Sequence, residues 1–155
     1  MSLGGKLKMK DNLREAVLLF EEVMIHGTER VLKSVEAPVW QMYSPEQLHV
    51  LKLVGKYGPI SSGRLAAVQG VHKSAISNRL KKLTEKGLVI VERREDDHRT
   101  KYISLTESGR LVATEAEQEI YTYLENLIEG KVEEEEIIQF IETFKKIKEI
   151  LQLND

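Results

Sequence analysis

The sequence predicts a mostly α chain with one small β-hairpin, and two observations carry that reading. Apolar residues recur at helical spacing near both ends of the 155-residue chain, as Leu13, Val17, Phe20 and Met24 and again as Ile137, Ile141, Phe144 and Ile147. Between them, LVIVER (Leu88 to Arg93) and KYISL (Lys101 to Leu105) are rich in β-branched and aromatic residues and flank the polar stretch EDDHRT, which is the pattern of a hairpin. A chain of this length supports one domain with a core, or a small domain plus helices that need a partner.

In chain order, a first long helix is expected from Asp11 to about Glu36, stopping before Ala37-Pro38 because the residue before a proline avoids the α region. SPEQ at Ser44 offers an N-cap serine, proline at the first helical position and a glutamine three residues on. That capping-box pattern opens a helix that buries Leu48, Leu51 and Val54 and ends in the Gly55 to Pro59 punctuation. After a short segment around Ile60, Ser61-Ser62 caps a brief helix through Val68, closed by Gly70. The tight connection Gln69 to His72 leads into a second helix, Lys73 to Lys86, ended by Gly87. Two short helices joined by a glycine-containing turn form a helix-turn-helix candidate. Beyond the hairpin, Thr106 caps a long helix to about Glu129, ended by Gly130, and a last helix runs from Glu133 to Leu153. The four acids Glu133 to Glu136 stand in its first turn, where the helix dipole favours negative charge, so they are read as structural.

Composition narrows the function classes. No apolar run approaches the roughly 20 residues of a spanning helix, and the first residues lack the apolar centre of a signal peptide, so no membrane partner and a cytoplasmic location are expected. The absence of cysteine removes thiolate nucleophiles, thiol switches and cysteine-based zinc sites. His26, His49, His72 and His98 are scattered without metal-ligand spacing, and no glycine-rich phosphate loop is present. Neither enzyme activity, a cofactor nor a metal is therefore expected. The net charge of -2 conceals an asymmetry: Ser61 to Lys101 carries ten basic against five acidic residues, a net +5, which leaves -7 for the remainder. A basic middle between acidic arms points toward a polyanionic partner.

The second helix of the pair shows where that partner would sit. At about 100° per residue, Ile76, Leu80 and Leu83 form one buried stripe, while Ser74, Ser77, Asn78 and Lys81 lie on the opposite side. Such short polar groups with one cation can hydrogen-bond base edges and let the backbone approach a major-groove floor. Arg79 and Lys82 flank that face, where phosphates would lie.

The segment KSAISNRLKKLTEKGLVIVERREDDHRTKYISLTESG, Lys73 to Gly109, resembles the MarR family of winged helix-turn-helix transcription regulators. The likeness rests on the recognition-helix pattern, LTEKGLV at its end, Asp97 and Arg99 as the D-x-R of the wing, LTESG opening the next helix, and the spacings between these features. SPEQLHVL and the terminal helices extend it over nearly the whole chain. The resemblance implies a single domain over 1–155, with a DNA-binding lobe at about 44–106 and dimerisation helices at about 11–36 and 107–153. It also implies a homodimer on double-stranded DNA, most simply a repressor that occludes a palindromic operator. A winged-helix module that binds proteins without sequence-specific DNA binding is the alternative.

On that basis Ser74, Ser77, Asn78 and Lys81 are expected in the major groove, and Arg64, Lys73, Arg79, Lys82, Arg93, Arg94 and Lys101 at phosphates. Arg99 is expected to read the minor groove, with Asp97 orienting it. His98 and Thr100 depart from the family's usual residues beside that arginine. Relatives often bind aromatic or phenolic anions where the dimer arms meet the lobe, and His26, Arg30, Trp40, Met42 and Tyr43 are the corresponding candidates for a small aromatic or phenolic effector.

Overall fold

A computed structural model describes residues 3–153. Contacts divide the chain into two compact units, Met1–Ile120 and Tyr121–Asp155. In the first, α1 (Leu3–Glu22) continues through a π-helical turn (Val23–Gly27) into α2 (Thr28–Ser34), so the first helix begins earlier than expected and contains a π turn. Val35 then turns extended and Ala37 precedes a short helix α3 (Pro38–Met42), which the sequence reading did not anticipate. Pro38 both stops one helix and opens the next from its first position, where its missing N–H costs nothing.

Helix α4 (Pro45–Tyr57) starts in the expected capping box. The Ser44 hydroxyl accepts the Gln47 N–H at 3.2 Å, and the Gln47 side chain accepts the Ser44 N–H at 3.1 Å. A two-residue strand β1 (Ile60–Ser61) follows, then α5 (Ser62–Gln69) capped by the Ser61 hydroxyl. Gly70, left-handed at φ 64°, closes α5 with its N–H on the Ala67 carbonyl, and α6 (Lys73–Glu85) begins three residues later.

Strands β2 (Val89–Arg94) and β3 (Asp97–Leu105) pair antiparallel, and β3 also pairs with β1, giving the sheet order β1-β3-β2. Val89 faces Leu105, Val91 faces Ile103 and Arg93 faces Lys101. The register then shifts, so that Arg94 faces Asp97 and residues 98–100 bulge from β3. The hairpin tip is thus Glu95-Asp96, shorter than the six-residue polar loop read from the sequence.

The core of this unit gathers the inward residues of α3 to α6 and of the three strands. Val50, Leu51 and Val54 of α4, Leu65 of α5, Ile76 and Leu83 of α6, and Ile103 of β3 are almost fully buried. Each such side chain contributes about 1.5–3 kcal/mol relative to exposure. Thr106 bonds the end of α6 to the start of α7 (Glu107–Ile128): its hydroxyl donates to the Gly87 carbonyl at 2.6 Å and accepts the Gly109 N–H at 3.0 Å.

The second unit contains α8 (Glu134–Ile150), slightly shorter than expected. Glu133 and Glu136 form a reciprocal capping box at its start, with the Glu133 N–H on a Glu136 carboxylate oxygen at 2.9 Å. Four acids at this terminus therefore cap a helix and face its dipole. Phe140 and Phe144 stack with ring centroids 4.3 Å apart. Ile137, Phe140, Ile141, Phe144 and Ile147 all stay exposed, and on α1 so do Leu13, Val17, Phe20 and Met24.

Candidate nucleic-acid interface

Helix α6 owes its exposed polar face to the stripe behind it. Once Ile76, Leu80 and Leu83 are buried, helical geometry leaves Ser74, Ser77, Asn78 and Lys81 in solvent. Two shallow depressions border this face. On the α4 side, a cavity of about 260 Å³ is lined by Asn78, Arg79 and Lys82 together with Ser44 and Glu46. On the hairpin side, one of about 290 Å³ is lined by Ser77, Lys81 and Lys101. Residues from α6 and the hairpin thus place Arg79, Lys82, Lys81 and Lys101 on either side of the exposed polar face. Lys73 opens α6 and is exposed, and Arg64 is exposed in the first turn of α5.

Arg79 differs from the other expected phosphate contacts. It is half-buried, and its Nη1 donates to Oε1 of Gln69 at 2.7 Å, while the Gln69 Nε2 lies 3.2 Å from Nδ1 of His49. Neither Gln69 nor His49 carried a signal in the sequence, since the three residues come from three different helices.

The hairpin concentrates charge in an unusual way. Arg93 stands directly opposite Lys101 on paired strands, and both are exposed. Like charges opposite one another weaken a ladder. Arg94 stacks its guanidinium on the Tyr102 ring at 4.0 Å, a contact that holds an extended cation in one direction. At the tip, an Asp97 carboxylate oxygen accepts the backbone N–H groups of Arg99 at 3.1 Å and Thr100 at 3.2 Å. The contact to Arg99 is therefore through its main chain rather than its guanidinium. A hydrogen bond from the Thr100 side chain, followed by the Arg99 N–H, holds the Asp97 carboxyl below its usual pKa.

The effector candidates have varied surroundings. Trp40 packs half-buried against the core and donates its indole N–H to the Ala116 carbonyl at 3.0 Å. Tyr43 also packs there, with the Lys86 ammonium 4.6 Å from its ring centroid. Met42 is exposed at the end of α3, His26 lies in the π turn and Arg30 is exposed on α2. Among the described residues no group of three or more histidine or acidic side chains could hold a metal ion, and no helix is long and apolar enough to cross a membrane.

A buried three-helix core, a short helix pair whose second member exposes a polar and basic face, and a three-stranded sheet ending in a basic hairpin together define a winged helix-turn-helix protein. The sequence model of the MarR family matches residues 43–101, which span this lobe. The chain is 42% identical, over 90% of its length and 92% of the relative's, to an uncharacterised HTH-type transcriptional regulator, YdgG, of Bacillus subtilis. It is 32% identical over 65% of its length to the HTH-type regulator Hpr of Geobacillus thermodenitrificans, spanning 52% of that protein. Among solved structures, a MarR family protein from Bacillus stearothermophilus shares the fold at a TM-score of 0.71 and 20% identity, covering 90% of this chain and 97% of that one. Streptococcus pneumoniae FabT in complex with DNA does so at a TM-score of 0.59 and 20% identity, covering 97% and 98%. Staphylococcus aureus MarR in complex with salicylate and kanamycin aligns at 0.64 and 18%, covering 99% and 100%. The chain belongs to the MarR family of DNA-binding, non-enzymatic transcriptional regulators.

Proposed function

We propose that the protein is a cytoplasmic repressor that binds a palindromic operator as a homodimer. The observation that carries this reading is the pairing of Arg93 with Lys101 beside the exposed face of α6. The ladder accepts that repulsion, which a polyanion along this face would neutralise.

In this reading α6 enters the major groove. Ser74, Ser77, Asn78 and Lys81 contact base edges, and the sequence-independent grip comes from Arg64, Lys73, Arg79, Lys82, Arg93, Arg94 and Lys101 at phosphates. The wing reaches the adjacent minor groove with Arg99, while Asp97 fixes the turn from which that side chain leaves.

Homodimerisation is supported by the apolar faces of α1 and α8, which a single copy leaves in water. Two copies related by a twofold axis would present two α6 helices to half-sites about one helical turn apart, roughly 34–36 Å, so the operator would be an inverted repeat. Occupying it would block a promoter. A small aromatic or phenolic effector near Trp40 and Tyr43, with His26, Arg30 and Met42 around it, would relieve the block by favouring a different separation of the two recognition helices. Trp40 is the one tryptophan in the chain, so its fluorescence during titration with phenolic acids reports directly on this step. No change in that signal or in DNA affinity would remove the effector from the reading.

Sedimentation of the protein alone and with duplex DNA tests the assembly. A dimer that binds one duplex as two chains is expected; a monomer that binds as one chain would overturn it.

A further inference from the structure

We propose that His49 and Gln69 are positioning residues for Arg79: through the Gln69 amide, a neutral His49 holds the guanidinium on the DNA-facing side of α6, and a proton on His49 releases it. The proposal rests on the reading of Arg79 as a phosphate contact and adds to it the means by which that contact is held and lost.

The polarity of this chain of hydrogen bonds is fixed from one end. Arginine only donates, so the Gln69 oxygen must face Arg79, as it does at 2.7 Å. The same amide then turns its NH2 toward Nδ1 of His49, 3.2 Å away. That nitrogen must therefore accept, which requires a neutral imidazole with its hydrogen on Nε2. Protonated His49 carries a donor at both nitrogens and faces the amide donor with another. Turning the amide over would satisfy the imidazolium but set NH2 against Arg79. A proton on His49 and the Gln69 bond to Arg79 therefore exclude one another.

The held guanidinium is in the right place for a backbone contact. Arg79 lines the same depression as Asn78 and Lys82, at the edge of the exposed face of α6. A bond that fixes a long side chain there, from an amide itself held by His49, removes part of the entropy cost of meeting a phosphate. Releasing it restores that cost.

The groups around His49 set where the change occurs. On α4 itself lie Lys52 and Glu46, from α6 comes Arg79, and from α5 the uncharged Gln69. Lys52 is in turn paired with Glu117 of α7 at 3.1 Å. Partial desolvation of the ring, then the positive charges of Lys52 and Arg79, hold the His49 pKa below the ordinary histidine value. The relay is thus intact at neutral pH and opens on acidification.

The test compares the wild type with His49→Gln, which cannot titrate but still offers a carbonyl to the Gln69 amide. Affinity for mixed-sequence duplex DNA is read by anisotropy at constant ionic strength from about pH 7.5 to about pH 5. Mixed sequence suffices because phosphate contacts need no operator. The other three histidines are the same in both proteins, so the difference between them isolates His49. We expect the wild type to lose roughly threefold to tenfold in affinity relative to His49→Gln on acidification, about one ordinary net hydrogen bond's worth. Gln69→Leu should weaken binding at neutral pH but cost nothing further in an Arg79→Ala background. In solution NMR, the Arg79 side-chain resonances should shift at the pH where His49 titrates. Parallel pH profiles of wild type and His49→Gln, with Arg79→Ala still weakening binding, would overturn the relay and leave the phosphate contact standing. Full affinity in Arg79→Ala would overturn the contact itself, and the relay with it.

Discussion

The Asp97 carboxylate accepts the backbone N–H of Arg99 at 3.1 Å, so the acid in the wing acts on the main chain of the residue proposed to reach DNA. With the Thr100 N–H on the same oxygen, it pins the bulge where β3 departs from its pairing with β2. Asp97→Ala should therefore lower DNA affinity although it removes a negative charge, and Asp97→Asn, which keeps an acceptor oxygen, should retain most of it. A rise in affinity for Asp97→Ala in a binding titration would show that the carboxylate merely repels.

The same bonds set a pH dependence. Because the folded Asp97 pKa is depressed, its contribution to wing order is present above the unfolded value and is lost as pH falls through the lower, folded one. Protection of the Arg99 and Thr100 amides against exchange, relative to their intrinsic rates, should persist through the ordinary carboxylate range and fall only below it. In Asp97→Ala these amides should lack that protection at every pH.

Asn78 and Lys82 line one depression but should fail differently. Asn78→Ala should relax sequence preference, costing about 1–3 kcal/mol at one base pair. Lys82→Ala should weaken all duplexes alike and reduce the salt slope by about one unit. Equal losses on specific and random DNA in both variants would contradict this division of labour.

Gly109 has no room for a side chain. A Cβ built there would lie 1.9 Å from the Leu88 carbonyl oxygen, and Thr106 ties the same backbone to Gly87. Gly109→Ala must move main chain, so we expect a loss of about 1–3 kcal/mol or more in denaturant unfolding. An unchanged midpoint would mean that the junction of the hairpin and α7 yields freely.

Ile141 sits mid-face on α8 among Ile137, Phe140 and Phe144, all of them exposed. A glutamate there would carry charge into the surface that a second copy is proposed to cover. Ile141→Glu should sediment as a monomer and lose operator binding while its lobe remains folded by circular dichroism. A dimeric Ile141→Glu would place the interface elsewhere.

Most of the lobe was legible because its signals are local. The Ser44 capping box, the left-handed Gly70 and the three-residue stripe of α6 each depend on neighbours within a turn or two. What escaped depends on pairing across the chain. Residues 97–100 are polar enough to read as loop, yet they belong to β3 because Arg94 pairs with Asp97 and the excess is absorbed as a bulge. The π turn at Val23–Gly27 leaves the apolar spacing of the first helix nearly intact, so nothing in the sequence marks it. Helix α3 has five residues, too few for periodicity to register. The exposed face of α6 was readable from helical geometry alone. The approach of His49, Gln69 and Arg79 was not, since they lie 20 and 10 residues apart on separate helices.

On the proposed reading two copies bind an inverted repeat through α6 and the wing. In vitro selection of bound duplexes from a random pool tests it most directly. Enrichment of an inverted repeat whose half-site centres lie about one helical turn apart, roughly 10–10.5 base pairs, is expected, with the preference at one base pair of each half-site relaxed in Asn78→Ala. A pool that remains random after repeated rounds, or that converges on a single unrepeated site, would contradict it.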